Sequence, residues 1–134
     1  MYTFKKEEKL CNKRLIDELF RSGSSFLCYP YRVMWMPAPQ PLPAQVQVVI
    51  TAAKKRFKRA VDRNLIKRRT REAYRLHKQE LLYTPLAANA GQLILSVAYI
   101  GKEINDMAFM DKKMIRLMGQ LCEQVNASHA KADQ

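Results

Sequence analysis

Hydrophobic residues follow a helical spacing near the start of the chain and a strand-like pattern after it. The helical spacing stops at the polar run 22–25, so it predicts a first helix over residues 11–21. Residues 26–36 are rich in aromatic and β-favouring side chains and predict a strand. Four prolines at alternating positions from 37 to 43 predict a stiff connecting loop. The apolar residues of the first helix are Leu10, Leu15, Ile16, Leu19 and Phe20.

The middle of the chain predicts a second strand followed by a long helix. Val46, Val48 and Ile50 occupy alternating positions, as a half-buried strand requires. No glycine or proline occurs from residue 60 to 77, which favours one uninterrupted helix. Thr84 and Pro85 predict the next break. The narrow apolar seam predicted for this helix consists of Leu65, Ile66, Ala73 and Leu76.

The last third of the chain predicts one more strand and a final helix. Residues 92–99 have strand character, and Asn105 or Asp106 can cap a helix that starts just after them. Methionines at helical spacing are typical of core packing more often than of a ligand site. The residues predicted to share this buried face are Met107, Met110, Met114, Leu117 and Leu121.

The order helix, strand, strand, helix, strand, helix predicts an α+β fold. We expect an α/β sandwich in which about three helices pack on a small central sheet. A chain of 134 residues fits one domain, here 1–134, with a frayed tail at 126–134. No apolar run is long enough to span a membrane, and no apolar stretch follows the basic residues at the start, so we expect a cytoplasmic protein.

Positive charge changes this picture because it is concentrated in one segment. The chain carries a net charge of +12, and residues 54–75 contain eleven Lys and Arg against two acids, which accounts for +9. On the long helix these cations predict a ridge of about 24 Å along one face. Like charges stacked in this way repel one another, and a polyanion would turn the repulsion into attraction. The predicted ridge is formed by Arg59, Arg63, Lys67, Arg71 and Arg75.

Nucleic acid is therefore the expected partner, whereas catalysis by this polypeptide is poorly supported. The sequence has two histidines, four glycines, no paired-carboxylate motif and no glycine-rich phosphate loop. The three cysteines form no C-x-x-C pair. We expect no catalytic residue in the chain, and the sequence leaves open whether the protein itself binds a metal.

The basic segment closely resembles the signature of the bacterial ribonuclease P protein subunit. The family core R-N-x-x-K-R-x-x-R-E is matched at six fixed positions from Arg63 to Glu72, after a K-K-x-x-x-x-A lead-in that begins at Lys54. A DNA reader or a ribosomal protein using the same helix is the alternative. The resemblance implies RNA contacts for Arg63, Asn64, Lys67, Arg68 and Arg71. Together with the other basic residues of the segment, the predicted RNA-binding residues are Lys54, Lys55, Arg56, Lys58, Arg59, Arg63, Asn64, Lys67, Arg68, Arg71 and Arg75.

The resemblance also implies a function in tRNA processing. Members of this family partner a catalytic RNA that removes the 5′ leader from precursor tRNA, so the ribonucleoprotein is an endonuclease whose chemistry, with magnesium, belongs to the RNA. The protein binds the leader and strengthens substrate and metal affinity. The resemblance further implies a left-handed crossover between two parallel strands, against the usual right-handed rule.

A leader-binding cleft between the first helix and the sheet is the last implied feature. Phe20 matches a position where family members stack an aromatic side chain on a nucleotide, whereas Ile16 and Met34 stand where other members often have aromatics. Ordinary core packing is the alternative role for all three residues. Which basic residues meet the catalytic RNA and which meet the substrate, the preferred leader sequence and the oligomeric state are left open.

Overall fold

The computed structural model describes residues 4–87 and 91–132, and it confirms the predicted α+β class. Four strands form one sheet with helices on both faces, and the element order follows the prediction apart from an extra strand. The helices and strands are α1 (Lys13–Ser22), β1 (Ser24–Cys28), β2 (Tyr31–Pro37), β3 (Val46–Ala52), α2 (Ala60–Lys78), α3 (Thr84–Ala87), β4 (Leu93–Tyr99) and α4 (Met107–Ala132).

The region predicted as one strand over 26–36 is a hairpin of β1 and β2 instead. The strands are antiparallel, with Ser24 paired to Trp35 and Cys28 paired to Tyr31. Pro30 lies at the turn, where its lack of a backbone donor does not interrupt the ladder. The aromatic and β-branched residues therefore continue through both strands, which is why composition alone did not show the turn.

The sheet order is β1-β2-β4-β3, with one parallel pair. β2 and β4 are antiparallel, whereas β3 and β4 are parallel and are joined through α2. The predicted crossover between parallel strands is therefore present, and its left-handedness stays a prediction. Near the N-terminus, Lys9 forms a parallel bridge with Val48, and the Leu10 N–H donates to the Val48 carbonyl at 2.9 Å. This segment covers part of the outer edge of β3.

The two faces of the sheet carry two apolar clusters. The larger cluster packs β2, β3 and β4 against α2 and α4, and it includes Tyr31, Ile66, Tyr74 and Tyr99, all almost completely buried. On the opposite face, α1 packs through two leucines on a smaller cluster. The buried residues of this smaller cluster are Leu10, Leu15, Leu19 and Ile94.

Helix α2 follows its predicted span, but its buried face is shifted. Ile66 and Ala73 are buried as expected, whereas Leu76 is 37% exposed and was wrongly placed in the seam. Thr70 and Tyr74 are buried on α2 instead. Position on the helix decides this burial, because any side chain that faces the sheet is enclosed whether it is polar or apolar. The Thr70 hydroxyl lies 3.3 Å from the Tyr31 hydroxyl, which satisfies both buried groups.

The break predicted at Thr84 and Pro85 is also wrong. The chain continues from α2 through one π turn, Gln79–Tyr83, into α3, and the Thr84 N–H bonds to the Gln79 carbonyl. Pro85 directly follows this π turn, where the helical hydrogen-bond pattern has already shifted by one residue.

The final helix confirms the predicted cap and apolar stripe. Asp106 accepts a hydrogen bond from the Phe109 N–H at 2.8 Å, so it is the residue that caps α4. Met110 and Met114 are fully buried, as the core interpretation requires. The backbone is helical as far as Ala132, through most of the predicted frayed tail, and residues 133–134 lie outside the described residues.

Candidate nucleic-acid interface

A short turn between β3 and α2 presents the first group of predicted RNA-binding residues. Phe57 is buried, its ring centroid 5.9 Å from that of Tyr99, and its N–H bonds to the Ala53 carbonyl at 3.1 Å. This apolar anchor holds the turn in the core while its basic neighbours point outward. The exposed basic residues of the turn are Lys54, Lys55, Arg56, Lys58 and Arg59.

Two members of the predicted ridge have partners within the protein, so the ridge is not continuous. The Arg63 guanidinium donates to the carbonyls of Phe57 and Lys58 at 2.7 and 2.9 Å, which ties the start of α2 to the turn. Near the other end, Arg75 pairs with Glu72, and this partner lowers the pKa of the Glu72 carboxyl. The sequence could not show these contacts, because the spacing of a basic residue along a helix is the same whether its side chain faces solvent or a carbonyl.

The structure brings four of the predicted residues together in one open groove on α2. The groove has a volume of about 550 Å³, and Val61 and Leu65 form its apolar part. Hereafter it is called the α2 groove. Its cations and its amide stand on neighbouring turns of one helix, the spacing that lets several groups reach one strand of phosphates. The predicted RNA-binding residues that line it are Asn64, Lys67, Arg68 and Arg71.

Arg69 behaves differently from its neighbour Arg68 although the two are adjacent in the sequence. Arg68 is exposed in the α2 groove, whereas the Arg69 guanidinium donates to the Asn105 carbonyl at 2.6 Å, at the loop before α4. Arg68 can therefore meet a ligand, while Arg69 joins α2 to that loop. The pair offers a matched comparison for experiments on charge.

The three predicted leader-binding residues lie on α1 and β2, on the side of the sheet that α1 covers. Ile16 and Met34 are partly buried and pack against the smaller apolar cluster, so core packing accounts for part of their surface. Phe20 follows Ile16 by one helical turn, is 51% exposed, and lies outside both clusters of the described residues. This arrangement, called the α1 cleft below, gives an apolar wall with one aromatic face open.

The strand register adds residues to this sheet face that the sequence analysis did not single out. Ser25 pairs with Met34, and Leu27 pairs with Arg32 two positions along. Since side chains alternate across a strand, Arg32 and Leu27 share the face of Met34. Both are exposed, Leu27 by 64%. The missed signal was the period of two within residues 26–36, which becomes readable only once the turn at Pro30 is known.

The N-terminal segment joins the two surfaces. Lys9 and Arg71 line a depression of about 150 Å³ between this segment, β3 and α2. The segment is held by Glu8, whose carboxylate binds Lys78 and accepts from the Tyr83 hydroxyl at 2.6 Å. Burial acts to raise the pKa of Glu8, but the hydrogen bonds from Lys78, Tyr83 and the Lys5 N–H outweigh it and lower the pKa. The Glu8 carboxylate thus holds the N-terminal segment to the end of α2 as a charged group.

Over residues 4–87 and 91–132 there is no group of three or more His, Cys, Asp or Glu side chains placed to hold a metal ion. Within the same ranges, no helix is both long and apolar enough to cross a membrane.

Comparisons with known proteins agree with this fold. A family model described as Ribonuclease P matches residues 4–120. The chain is 34% identical over 120 residues to the ribonuclease P protein component of Porphyromonas gingivalis, covering 87% of each protein. It is 33% identical over 129 residues to that of Chlorobium phaeobacteroides, covering 87% of this chain and 86% of the relative.

Solved structures show the same architecture at lower identity. The RNase P protein of Staphylococcus aureus superposes with a TM-score of 0.64 at 16% identity, covering 83% of this chain and 92% of that one. The protein from Thermotoga maritima gives 0.64 at 20% identity, covering 84% and 96%.

Proposed function

We propose, from the premise that the chain belongs to the ribonuclease P protein family, that it is the RNA-binding subunit of a ribonuclease P that processes precursor tRNA. In this proposal the catalytic RNA, with magnesium, cuts the 5′ leader, and the protein binds the leader and strengthens substrate and metal affinity. The supporting observation is the α2 groove, where three cations and an amide stand together on an exposed helix face.

The α2 groove is the proposed contact with the catalytic RNA. Arginine presents a planar fork that fits phosphate oxygens, and Asn64 can both donate and accept at a sugar or base edge. Each phosphate that the protein neutralises releases counterions, so affinity falls with salt by about 0.7 to 0.9 log units per decade for each contact. Arg68, exposed in the groove, is proposed to make one such contact.

The α1 cleft is the proposed site of the leader. Stacking of one base on an aromatic ring contributes about 1 to 3 kcal/mol and tolerates any base, as a subunit acting on many precursor tRNAs requires. Phe20 presents its ring to solvent, and Ile16 and Met34 provide apolar surface beside it. The ring is therefore proposed to bind an unpaired leader nucleotide.

Reconstitution with the cognate RNA tests both contacts. The complex should bind precursor tRNA more tightly than mature tRNA, and Phe20→Ala should reduce that preference about fivefold or more without changing the affinity for mature tRNA. Phe20→Tyr, which keeps the ring, is the control. Equal affinity of the unmodified complex for the two RNAs would exclude the leader cleft.

Assembly with the RNA tests the groove separately. Arg68→Ala should weaken assembly and lower the salt slope by about 0.7 to 0.9. Arg69→Ala removes the same charge from a guanidinium that bonds to the Asn105 carbonyl outside the groove, so it should leave the slope unchanged. If the two variants lowered the salt slope equally, the slope would depend on the net charge of the protein and not on a contact in the α2 groove.

The assignment of the chemistry to the RNA has its own test. The purified protein without RNA should not cleave precursor tRNA at any magnesium concentration. Cleavage by a nuclease-free preparation would contradict it, and a preference for duplex DNA over the RNA subunit would favour a DNA-binding protein instead.

A further inference from the structure

A second cationic surface lies at the β1–β2 turn, and of its residues only Leu27 also belongs to the sheet face of the α1 cleft. It is a groove of about 250 Å³ between this turn and α4, called the edge groove below. β1 is the outer strand opposite β3, and three strand spacings of about 4.8 Å separate the two edges. The residues that line it are Leu27, Cys28, Tyr29, Lys113, Arg116 and Gln120.

The edge groove combines an open aromatic ring with positive charge. Tyr29 is 54% exposed and Leu27 is 64% exposed, so the turn presents apolar surface to solvent. Lys113 and Arg116 stand on α4 opposite the turn, and the six lining residues include no carboxylate. A surface with an exposed ring beside two cations suits a ligand that has both a flat aromatic group and an anionic group.

The rear of the groove is fixed by the fold. Cys28 is buried, and its Sγ donates to the Lys113 carbonyl at 3.6 Å, which joins the end of β1 to α4. Burial raises the pKa of the Cys28 thiol and outweighs the opposite effect of Arg116 and Lys113. The thiol is therefore a neutral group beside the two cations. The end of β1 and this part of α4 are therefore held together by packing, whether or not a ligand is bound.

Gln120 adds an uncharged polar group to the lining of the edge groove. Its amide oxygen is closed to solvent, and no hydrogen-bond partner for it stands among the described residues. Buried acceptors without a donor are uncommon in proteins. A turn of the Gln120 side chain toward the groove would bring this oxygen within reach of an imino N–H, an exocyclic amino group or a ribose 2′-hydroxyl.

We propose that the edge groove binds one nucleotide of a single-stranded RNA segment. Its phosphate lies between Lys113 and Arg116, its base stacks on Tyr29, and its base edge or 2′-hydroxyl donates to the Gln120 amide oxygen once that side chain turns toward the groove. A peptide could satisfy the charge and the amide, but the open ring and the absence of a carboxylate among the lining residues favour a nucleotide. The site needs neither the α2 groove nor the α1 cleft, so it can be tested apart from them.

Site-resolved crosslinking of the full-length protein tests the proposal. The probe is a uridine pentaribonucleotide with a central 4-thiouridine, and mass spectrometry identifies the crosslinked residues. A crosslink is expected at or beside Tyr29, and Tyr29→Ala should weaken binding at this site about fivefold to tenfold. Tyr29→Phe, which keeps the ring, should bind nearly as the unmodified protein does.

Charge variants separate this site from the others. Arg116→Ala should lower the salt slope of crosslinking here by about 0.7, the value for one phosphate of a single strand, whereas Lys102→Ala, an exposed cation outside the groove, should not. Arg68→Ala should leave this crosslink intact even where it abolishes assembly with the RNA subunit. An edge-groove crosslink that survives in Arg68→Ala therefore distinguishes this proposal from the proposed function.

A second experiment identifies which RNA supplies the nucleotide. The complex is reconstituted with 4-thiouridine in either the RNA subunit or the precursor tRNA. A crosslink from either RNA supports the proposal and identifies that RNA as the ligand. No crosslink near Tyr29 under conditions where other residues crosslink would overturn it. An unchanged yield in both Arg116→Ala and Tyr29→Ala would overturn it equally, and a circular dichroism melt checks that these variants fold.

Discussion

Replacing Glu8 by glutamine should destabilise the protein strongly, because this carboxylate is the centre of a buried polar cluster. Its side chain is 9% exposed and that of its partner Lys78 is 5% exposed. Lys78 also lies over the rings of Phe4 and Tyr83, with 5.6 and 5.7 Å between Nζ and the centroids. The change keeps the shape of the side chain and removes its charge.

The magnitude follows from the three hydrogen bonds that the carboxylate accepts. Lys78 and Tyr83 donate to one oxygen, and the Lys5 N–H donates to the other at 2.7 Å. A glutamine amide has only one oxygen, so either orientation turns an NH₂ group toward a donor. The Lys78 ammonium would meanwhile face a neutral amide. Removing one partner of a buried ion pair costs about 3 to 5 kcal/mol, and we expect a loss in that range.

Urea unfolding followed by circular dichroism measures this loss. Glu72→Gln is the matched control, because Glu72 also pairs with a cation but its side chain is 45% exposed, so little change is expected. Replacing both Glu8 and Lys78 by apolar residues should recover part of the stability. If Glu8→Gln were no more costly than Glu72→Gln, the reasoning from burial would be refuted.

The same cluster predicts how stability depends on pH. The pKa of Glu8 is lower in the folded protein than in the unfolded chain, so its contribution is complete above the unfolded value of about 4.3. As pH falls through the lower, folded pKa, that contribution is lost. Acid unfolding curves should show this loss for the unmodified protein, and Glu8→Gln should be less sensitive to pH across the same acid range.

Three other substitutions test the local structure, each by thermal or urea unfolding. Asn12→Ala should cost about 1 kcal/mol, because the Asn12 side chain caps α1 by accepting from the N–H groups of Arg14 and Leu15, and Asn12→Asp should retain the cap. Gly23→Ala should cost about 1 to 3 kcal/mol, because a Cβ there would lie 2.5 Å from the Leu19 carbonyl oxygen, and an unchanged stability would show that the α1–β1 connection can shift. Tyr31→Phe should cost about 1 kcal/mol by leaving the buried Thr70 hydroxyl without its partner.

Much of the fold could be predicted from the sequence because its elements have strong local periodicity. The spans of α1 and α2 and the buried face of α4 were close to the observed ones, since apolar spacing and caps are local properties. The hairpin at Pro30 and the π turn before Pro85 were missed for a different reason. In both places the chain accommodates a proline through its position in the three-dimensional structure, which composition does not encode.

The candidate site, too, could be predicted only in part from local sequence patterns. The motif from Arg63 to Glu72 identified the helix and the family, but it could not tell which cations face outward. Arg63 donates to two carbonyls of the preceding turn, and Arg69 donates to a loop carbonyl. A guanidinium has five donors, so an arginine inside a binding motif can hold the protein together instead of facing a ligand, and the motif spacing does not distinguish the two roles.

These internal contacts also determine where repulsion between the positive charges of α2 remains. Arg63 is held by two carbonyls at the start of α2, whereas Arg75 and Lys78 near the end of the helix pair with Glu72 and Glu8, so the charge of the last turns is compensated. The cations of the α2 groove, Lys67, Arg68 and Arg71, are left as its outward-facing charge. Repulsion is thereby concentrated where a phosphate backbone can relieve it. It follows that a variant of the groove should gain stability as it loses RNA affinity, whereas a variant of Arg63 or Lys78 should lose stability.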